Sequence, residues 1–140
     1  MKKILSLVLV IAMASLMIAA CGGDDSPILV AVTAPLSGTN ARYGESIVNG
    51  ATMAMDAVNA NGGINGRQVE IVARDDRSDP NEGVSIANEI VANQNILAVL
   101  GNFNSSVTLA ASPIYNNTGI VQVSPGSSSP LVSVCLLPYR

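Results

Sequence analysis

The chain has 140 residues with ten acidic and seven basic side chains, a formal charge of −3 that loss of Lys2 and Lys3 would deepen by two. It contains no histidine and two cysteines, Cys21 and Cys135, which removes the usual ligand sets of zinc, haem and copper and all histidine-based acid–base chemistry; no metal or cofactor is expected. After the first few residues the cations are scattered arginines (Arg42, Arg67, Arg74, Arg77, Arg140) that form no basic stripe, so nucleic acid is not a partner.

Lys2 and Lys3 precede an uncharged apolar run from Ile4 to Ala20 that closes on the small pair Ala19-Ala20, the layout of a secretory signal peptide. Ile18-Ala19-Ala20-Cys21 resembles the lipobox of bacterial lipoproteins, which implies cleavage before Cys21 and acylation of that cysteine. More than one acyl chain there would make the anchor stable. The run is at the short limit of what crosses a hydrocarbon core about 30 Å thick, so a retained transmembrane helix is the alternative. Gly22-Gly23-Asp24-Asp25-Ser26-Pro27 suits a flexible tether. With Cys21 lipidated, Cys135 is left alone and no structural disulfide is expected.

Ile28-Leu29-Val30-Ala31-Val32, between Pro27 and Pro35, reads as a strand covered on both faces. Ile47, Ala51, Met55 and Val58, widened by Ala54, recur at helical spacing and predict a helix from about Tyr43 to Asn59, stopped by Gly62-Gly63. Val69, Ile71 and Ala73 begin a second strand. At its exit, Asp75 and Asp76 lie beside Arg74 and Arg77 and read as a solvated or salt-paired loop in preference to a metal site. Asp79 is placed as N-cap of a helix, with Pro80 at its first position, Glu82 in its first turn, and Val84, Ala87, Ile90 and Val91 as its buried face. Ile96–Leu100 is a third buried strand. Asn104-Ser105-Ser106 can cap a third helix carrying Val107, Ala110, Ala111 and Ile114, and Ile120–Val123 is a fourth strand. Alternation of this kind predicts an α/β fold: a parallel sheet with helices on both faces, joined by right-handed crossovers.

Ligands of open parallel sheets bind beyond the carboxyl ends of the strands, where the winding reverses. Three such ends are rich in hydroxyls and glycine: Ser37–Gly44, Asn102–Ser106 and Ser124–Pro130. Serine hydroxyls, backbone N–H groups and positive helix ends suit a small carboxylate without a fixed cation. Ser105 and Ser106 have helix capping as their plain role, which can coexist with anion binding, and Ser127-Ser128-Ser129 reads equally as a solvated turn. Tyr43 is either a wall for an apolar ligand body or a surface aromatic. No G-x-G-x-x-G follows the first strand and no lysine occurs after Lys3, so neither nucleotide fingerprint is present.

Asn59–Arg67, Asp75-Asp76 with Asp79-Pro80, Ser105-Ser106 and Ser124-Pro125-Gly126 together resemble the N-terminal lobe of periplasmic binding proteins for branched-chain amino acids, the solute receptors of ABC importers. The resemblance runs from about Ile28 to Leu131. It implies a non-enzymatic receptor of two hinged α/β lobes that holds an amino acid by its head group, serves a membrane ABC permease, and works in the periplasm or at the outer face of the cell membrane. Carried over by motif, carboxylate contacts fall on Ser105 and Ser128, backbone contacts on Gly126 and a wall on Tyr43, with Asn104 and Ser127 as adjacent candidates. A cysteine pair of some relatives falls on Ser78 and Asn104, so that bridge is absent here. The family continues into a second lobe where this chain reaches Arg140, which implies residues 1–20 as leader, 21–27 as tether, 28–133 as an incomplete first lobe and 134–140 as a tail outside the resemblance. Two alternatives accompany this expectation: a receptor of the same fold for amides, urea or other small polar solutes, and a truncated lipoprotein fragment that binds nothing.

Overall fold

Apolar and β-branched residues from Ile28 to Ala34 form strand β1, followed by α1 (Ala41–Ala60), β2 (Val69–Asp75), α2 (Pro80–Ala92), β3 (Ile96–Gly101), α3 (Ser105–Thr118), β4 (Val121–Val123) and α4 (Pro130–Cys135). This computed structural model describes residues 26–135; the expected leader, the lipidation site at Cys21 and the chain beyond 135 lie outside the described residues. The strands form one parallel sheet in the order β2-β1-β3-β4. From β1 the chain steps one way to β2, then reverses through β3 to β4. Right-handed crossovers therefore place α1 on one face and α2 and α3 on the other. The expected α/β architecture is the observed one.

The ends of the elements follow from local chemistry. Gly63 has φ +75°, and a Cβ there would lie 1.9 Å from the Arg67 carbonyl oxygen, so only glycine lets the turn after α1 close. Ile64 and Arg67 exchange backbone hydrogen bonds of 2.8 and 3.0 Å across that turn. Asn59 then ties helix to strand: its Oδ1 accepts from Val69 N–H at 2.7 Å and its Nδ2 donates to the Val69 carbonyl at 2.8 Å. Asp79 caps α2 as expected, its side chain accepting from Asn81 N–H at 2.7 Å.

The main core lies between the sheet and α2 with α3, where Ala31, Ile96 and Val99 meet Ile86, Ala87, Ile90, Ala111 and Tyr115. The buried side of α2 is Gly83, Ile86, Ala87 and Ile90, while Val84 and Val91 are only partly covered, which corrects the expected stripe. Helix α2 serves two neighbours at once. It approaches α3 so closely that a Cβ on Gly83 would lie 2.4 Å from Val107 Cγ1, which turns the helix toward α3 and draws Ile86 inward. A second correction concerns the later strands, since Leu97 (54%), Val121 (61%) and Val123 (56%) are exposed. Only α1 covers that face among the described helices, and it lies over β1 and β2. No described helix is long and apolar enough to cross a membrane.

Candidate ligand-binding site

Adjacent strands β1 and β3 send the chain to opposite faces of the sheet, so their carboxyl ends diverge and open a crevice between α1 and α3. Tyr43, in the first turn of α1 and 57% exposed, stacks on Phe103 from the β3 exit, with ring centroids 5.0 Å apart and planes inclined by 13°. Phe103 in turn lies against Gly126 in the β4–α4 loop, where a Cβ would come within 2.4 Å of Phe103 Cδ2. Three loops thus meet around one phenyl ring.

Ser105 does not cap its own helix. Its Oγ accepts from the N–H groups of Ser128 at 3.2 Å and Ser129 at 3.3 Å, bridging the start of α3 to the start of α4. The N-cap of α3 is Asn104, whose side chain makes no capping bond and whose Oδ1 is buried with no partner among the described residues. The first-turn amides of α3 have no intrahelical acceptors, which leaves donors beside the serines. Ser127 is turned into the protein: its Oγ lies 2.6 Å from Thr108 Oγ1 and donates toward the Asn102 carbonyl at 3.3 Å. The structure therefore gathers Tyr43, Gly126, Asn104, Ser105 and Ser128 at the crevice, with Ser127 supporting the loop from behind. A groove of about 290 Å³ lined by Thr39, Arg42, Tyr43 and Ser46 flanks the ring stack. Another, of about 390 Å³, runs along Ser124 and Ser127–Pro130 toward Val132.

Asp76 corrects the expectation of a solvated or salt-paired loop, while Asp75 remains partly exposed. Arg74 pairs with Glu89 on α2 at 2.6 Å, and that bond holds Arg74 up and Glu89 down from their ordinary values. Asp75 Oδ1 accepts from Leu36 N–H at 2.7 Å and Arg77 N–H at 2.9 Å, clasping the β1 exit. Asp76 is fully buried, accepting from Asn102 Nδ2 at 2.9 Å and Ser78 N–H at 3.0 Å. Desolvation pushes its carboxyl above the ordinary range, against the pull of the Asn102 and Ser78 bonds. The reason is topological: β2 is long enough to carry Asp76 past the sheet edge to the β3 exit, where amides replace water.

Thr108 and Gln122 had no place in the expected site, and Asn102 and Phe103 lay within an expected strand end without a role of their own. The signal for Gln122 was a lone amide inside an apolar strand, which demands buried partners; it packs with Asn102 and Ser112. Phe103 is the chain's only phenylalanine and directly follows a strand end. Chemically, the site presents neutral donors and an aromatic wall. Among the described residues no three Cys, Asp or Glu side chains gather as a metal site.

The family model described as Periplasmic binding protein matches residues 27–135. The chain is 43% identical over 109 residues to Leu/Ile/Val-binding protein homolog 1 of Brucella abortus, an alignment covering 78% of this chain and 29% of that protein. It is 42% identical over 103 residues to the Leu/Ile/Val-binding protein of Escherichia coli, covering 74% and 28%. Among solved structures, a putative branched-chain amino acid ABC transporter from Rhodospirillum rubrum superposes with TM-score 0.75 at 36% identity, over 78% of this chain and 32% of that one. The substrate-binding protein LivJ of Streptococcus pneumoniae in complex with isoleucine gives 0.74 at 31%, over 79% and 32%. The chain thus spans about three-tenths of the length of these relatives. Since the match takes in every strand and helix described above, and the parallel sheet superposes on these proteins, the chain belongs to the periplasmic binding protein family and has its type I α/β fold.

Proposed function

We propose that this chain carries the head-group half of an amino-acid site in an exported solute receptor of an ABC importer, with a branched-chain amino acid as ligand. The observation that carries the reading is the Ser105 hydroxyl bridged to the Ser128 and Ser129 amides at the switch point of the sheet. Two helix starts and two serines converge there, and such neutral donors hold a carboxylate well in a partly desolvated crevice. Relatives named for Leu, Ile and Val, and a neighbour solved with isoleucine, support the ligand class. In this reading Tyr43 and Phe103 wall the apolar side of the ligand, and Ser105, Ser128 and the Gly126 backbone serve its charged head, with Asn104 adjacent. Residues 28–133 are the incomplete first lobe of the ligand-binding body, 1–20 the leader and 21–27 a tether from a lipid on Cys21; the receptor serves a membrane permease from the periplasmic side.

The test is calorimetric titration of the chain with leucine and with leucinamide, which lacks the carboxylate. Leucine should give saturable heat, and leucinamide should bind about tenfold weaker or less, the scale of a lost charge-assisted hydrogen bond. Equal affinities would remove the carboxylate role from the serines, and absence of leucine heat would defeat the ligand assignment.

A further inference from the structure

Beneath the serine loops runs a chain of side-chain hydrogen bonds that is almost wholly buried, with Asp76, Asn102 and Ser112 fully covered and Gln122 nearly so. Its direction is set at one end. Asp76 faces an N–H from Ser78 with one oxygen and the Asn102 amine with the other, at 3.0 and 2.9 Å, so it is held as an acceptor. That obliges Asn102 to turn its carbonyl oxygen toward Gln122 Nε2, at 3.3 Å, and Gln122 to turn its own toward Ser112 Oγ, at 3.0 Å. Both amides are thereby oriented by one carboxyl group.

Asn102 also works through its main chain. Its carbonyl oxygen accepts from Ser124 Oγ at 2.7 Å, Thr108 Oγ1 at 3.1 Å and Ser127 Oγ at 3.3 Å. Ser124 Oγ then accepts from Ser127 N–H at 3.1 Å, closing the turn that presents Ser128 to Ser105. The exits of β2, β3 and β4 are therefore pinned to a single residue whose side chain is clamped from both sides.

We propose that Asp76 and Asn102 are positioning residues for the ligand site: the buried carboxyl group clamps Asn102, and Asn102 holds the Ser124–Ser129 loop against the start of α3 in the geometry that a ligand carboxylate meets. For the ligand, this rests on the amino-acid receptor reading; the clamp itself rests on geometry alone. Neither residue touches the ligand. They act through Ser105, Ser127 and Ser128.

The experiment compares the whole chain with Asp76→Ala and with the exchange D76N/N102D, using backbone amide NMR and leucine calorimetry. The exchange reverses donor and acceptor while keeping every bond: the new amine donates to the new carboxylate, which still accepts from Gln122, and the new amide carbonyl still accepts from Ser78. Asp76→Ala should displace the amide resonances of Ser105, Ser124 and Gly126–Ser129 and weaken leucine by roughly tenfold, the scale of leaving one buried amide unpaired. The exchange should return the resonances toward parent positions and the affinity to within about threefold. Unmoved loop resonances in Asp76→Ala, or an exchange no better than Asp76→Ala, would overturn the proposal. If the parent gives no leucine heat, the receptor reading fails while the loop resonances still decide the clamp. Should Asp76→Ala not fold, Gln122→Met removes the other side of the clamp and is held to the same loop shifts.

Discussion

Two adjacent carboxyl groups are shifted in opposite directions from their ordinary pKa because one faces a loop of backbone amides and the other a closed polar core. Desolvation raises Asp75, but the Ser37 side chain and the N–H groups of Arg77, Leu36 and Ser37 outweigh it and leave Asp75 below its ordinary value. Its folded pKa is depressed relative to about 3.9 in the unfolded chain, so its stabilisation is complete above that value and disappears as pH falls through the folded one. Urea unfolding of the parent and Asp75→Asn at a series of pH values should therefore show a stability gap at pH 6 that shrinks below about pH 4. A gap that stays constant down to pH 2 would contradict the clasp on the β1 exit. Asp76 has the opposite sign: with its folded value raised, its contribution falls as pH rises from the ordinary value through the folded one. None of this was legible in Arg74-Asp75-Asp76-Arg77, where charge proximity suggests pairing. Strand β2 alternates its residues between faces, which sends Arg74 to Glu89 and Asp76 beneath β3, and alternation says nothing about what waits there.

At the scale of elements, α2 and α3 form the closest helix contact, and a glycine permits it. A Cβ on Gly83 would meet Val107 Cγ1 at 2.4 Å, and Val107 is fully buried. Gly83→Ala should destabilise the fold by about 1–3 kcal/mol in thermal or urea unfolding, although alanine is the better helix former by about 1 kcal/mol. A neutral or stabilising result would mean that the two helices do not pack this tightly. Strand β4 shows the same limit of sequence reading. Its apolar pattern located the strand, but Gln122 alone faces α3, with Val121 and Val123 outward. Which side of a short strand is covered depends on where the crossover helices go. Here two of three go to the same face.

For the molecule as a whole, the proposed leader, tether and lipid on Cys21 predict where the folded body sits. Cys21→Ser should move the protein from the membrane fraction to the soluble fraction of exported material and abolish incorporation of labelled fatty acid, because acyl chains are what hold a body of this kind at a bilayer. Retention of Cys21→Ser in the membrane fraction would point instead to an uncleaved apolar span. The order of elements as far as β4, the parallel sheet and the carboxyl-end location of the serine loops were determined by the sequence itself, whereas helix α4 was not foreseen. They depend on periodicity, caps and breakers, which act between residues close along the chain. Tertiary structure alone decided that Ser105 bridges to the Ser128 and Ser129 amides and does not cap its own helix, that Phe103 is the ring beneath Tyr43, and that Asp76 reaches Asn102 across 26 positions. Those pairings join loops distant in sequence, and only the strand order β2-β1-β3-β4, set by burying the apolar faces of α2 and α3 together, brings their ends to one crevice.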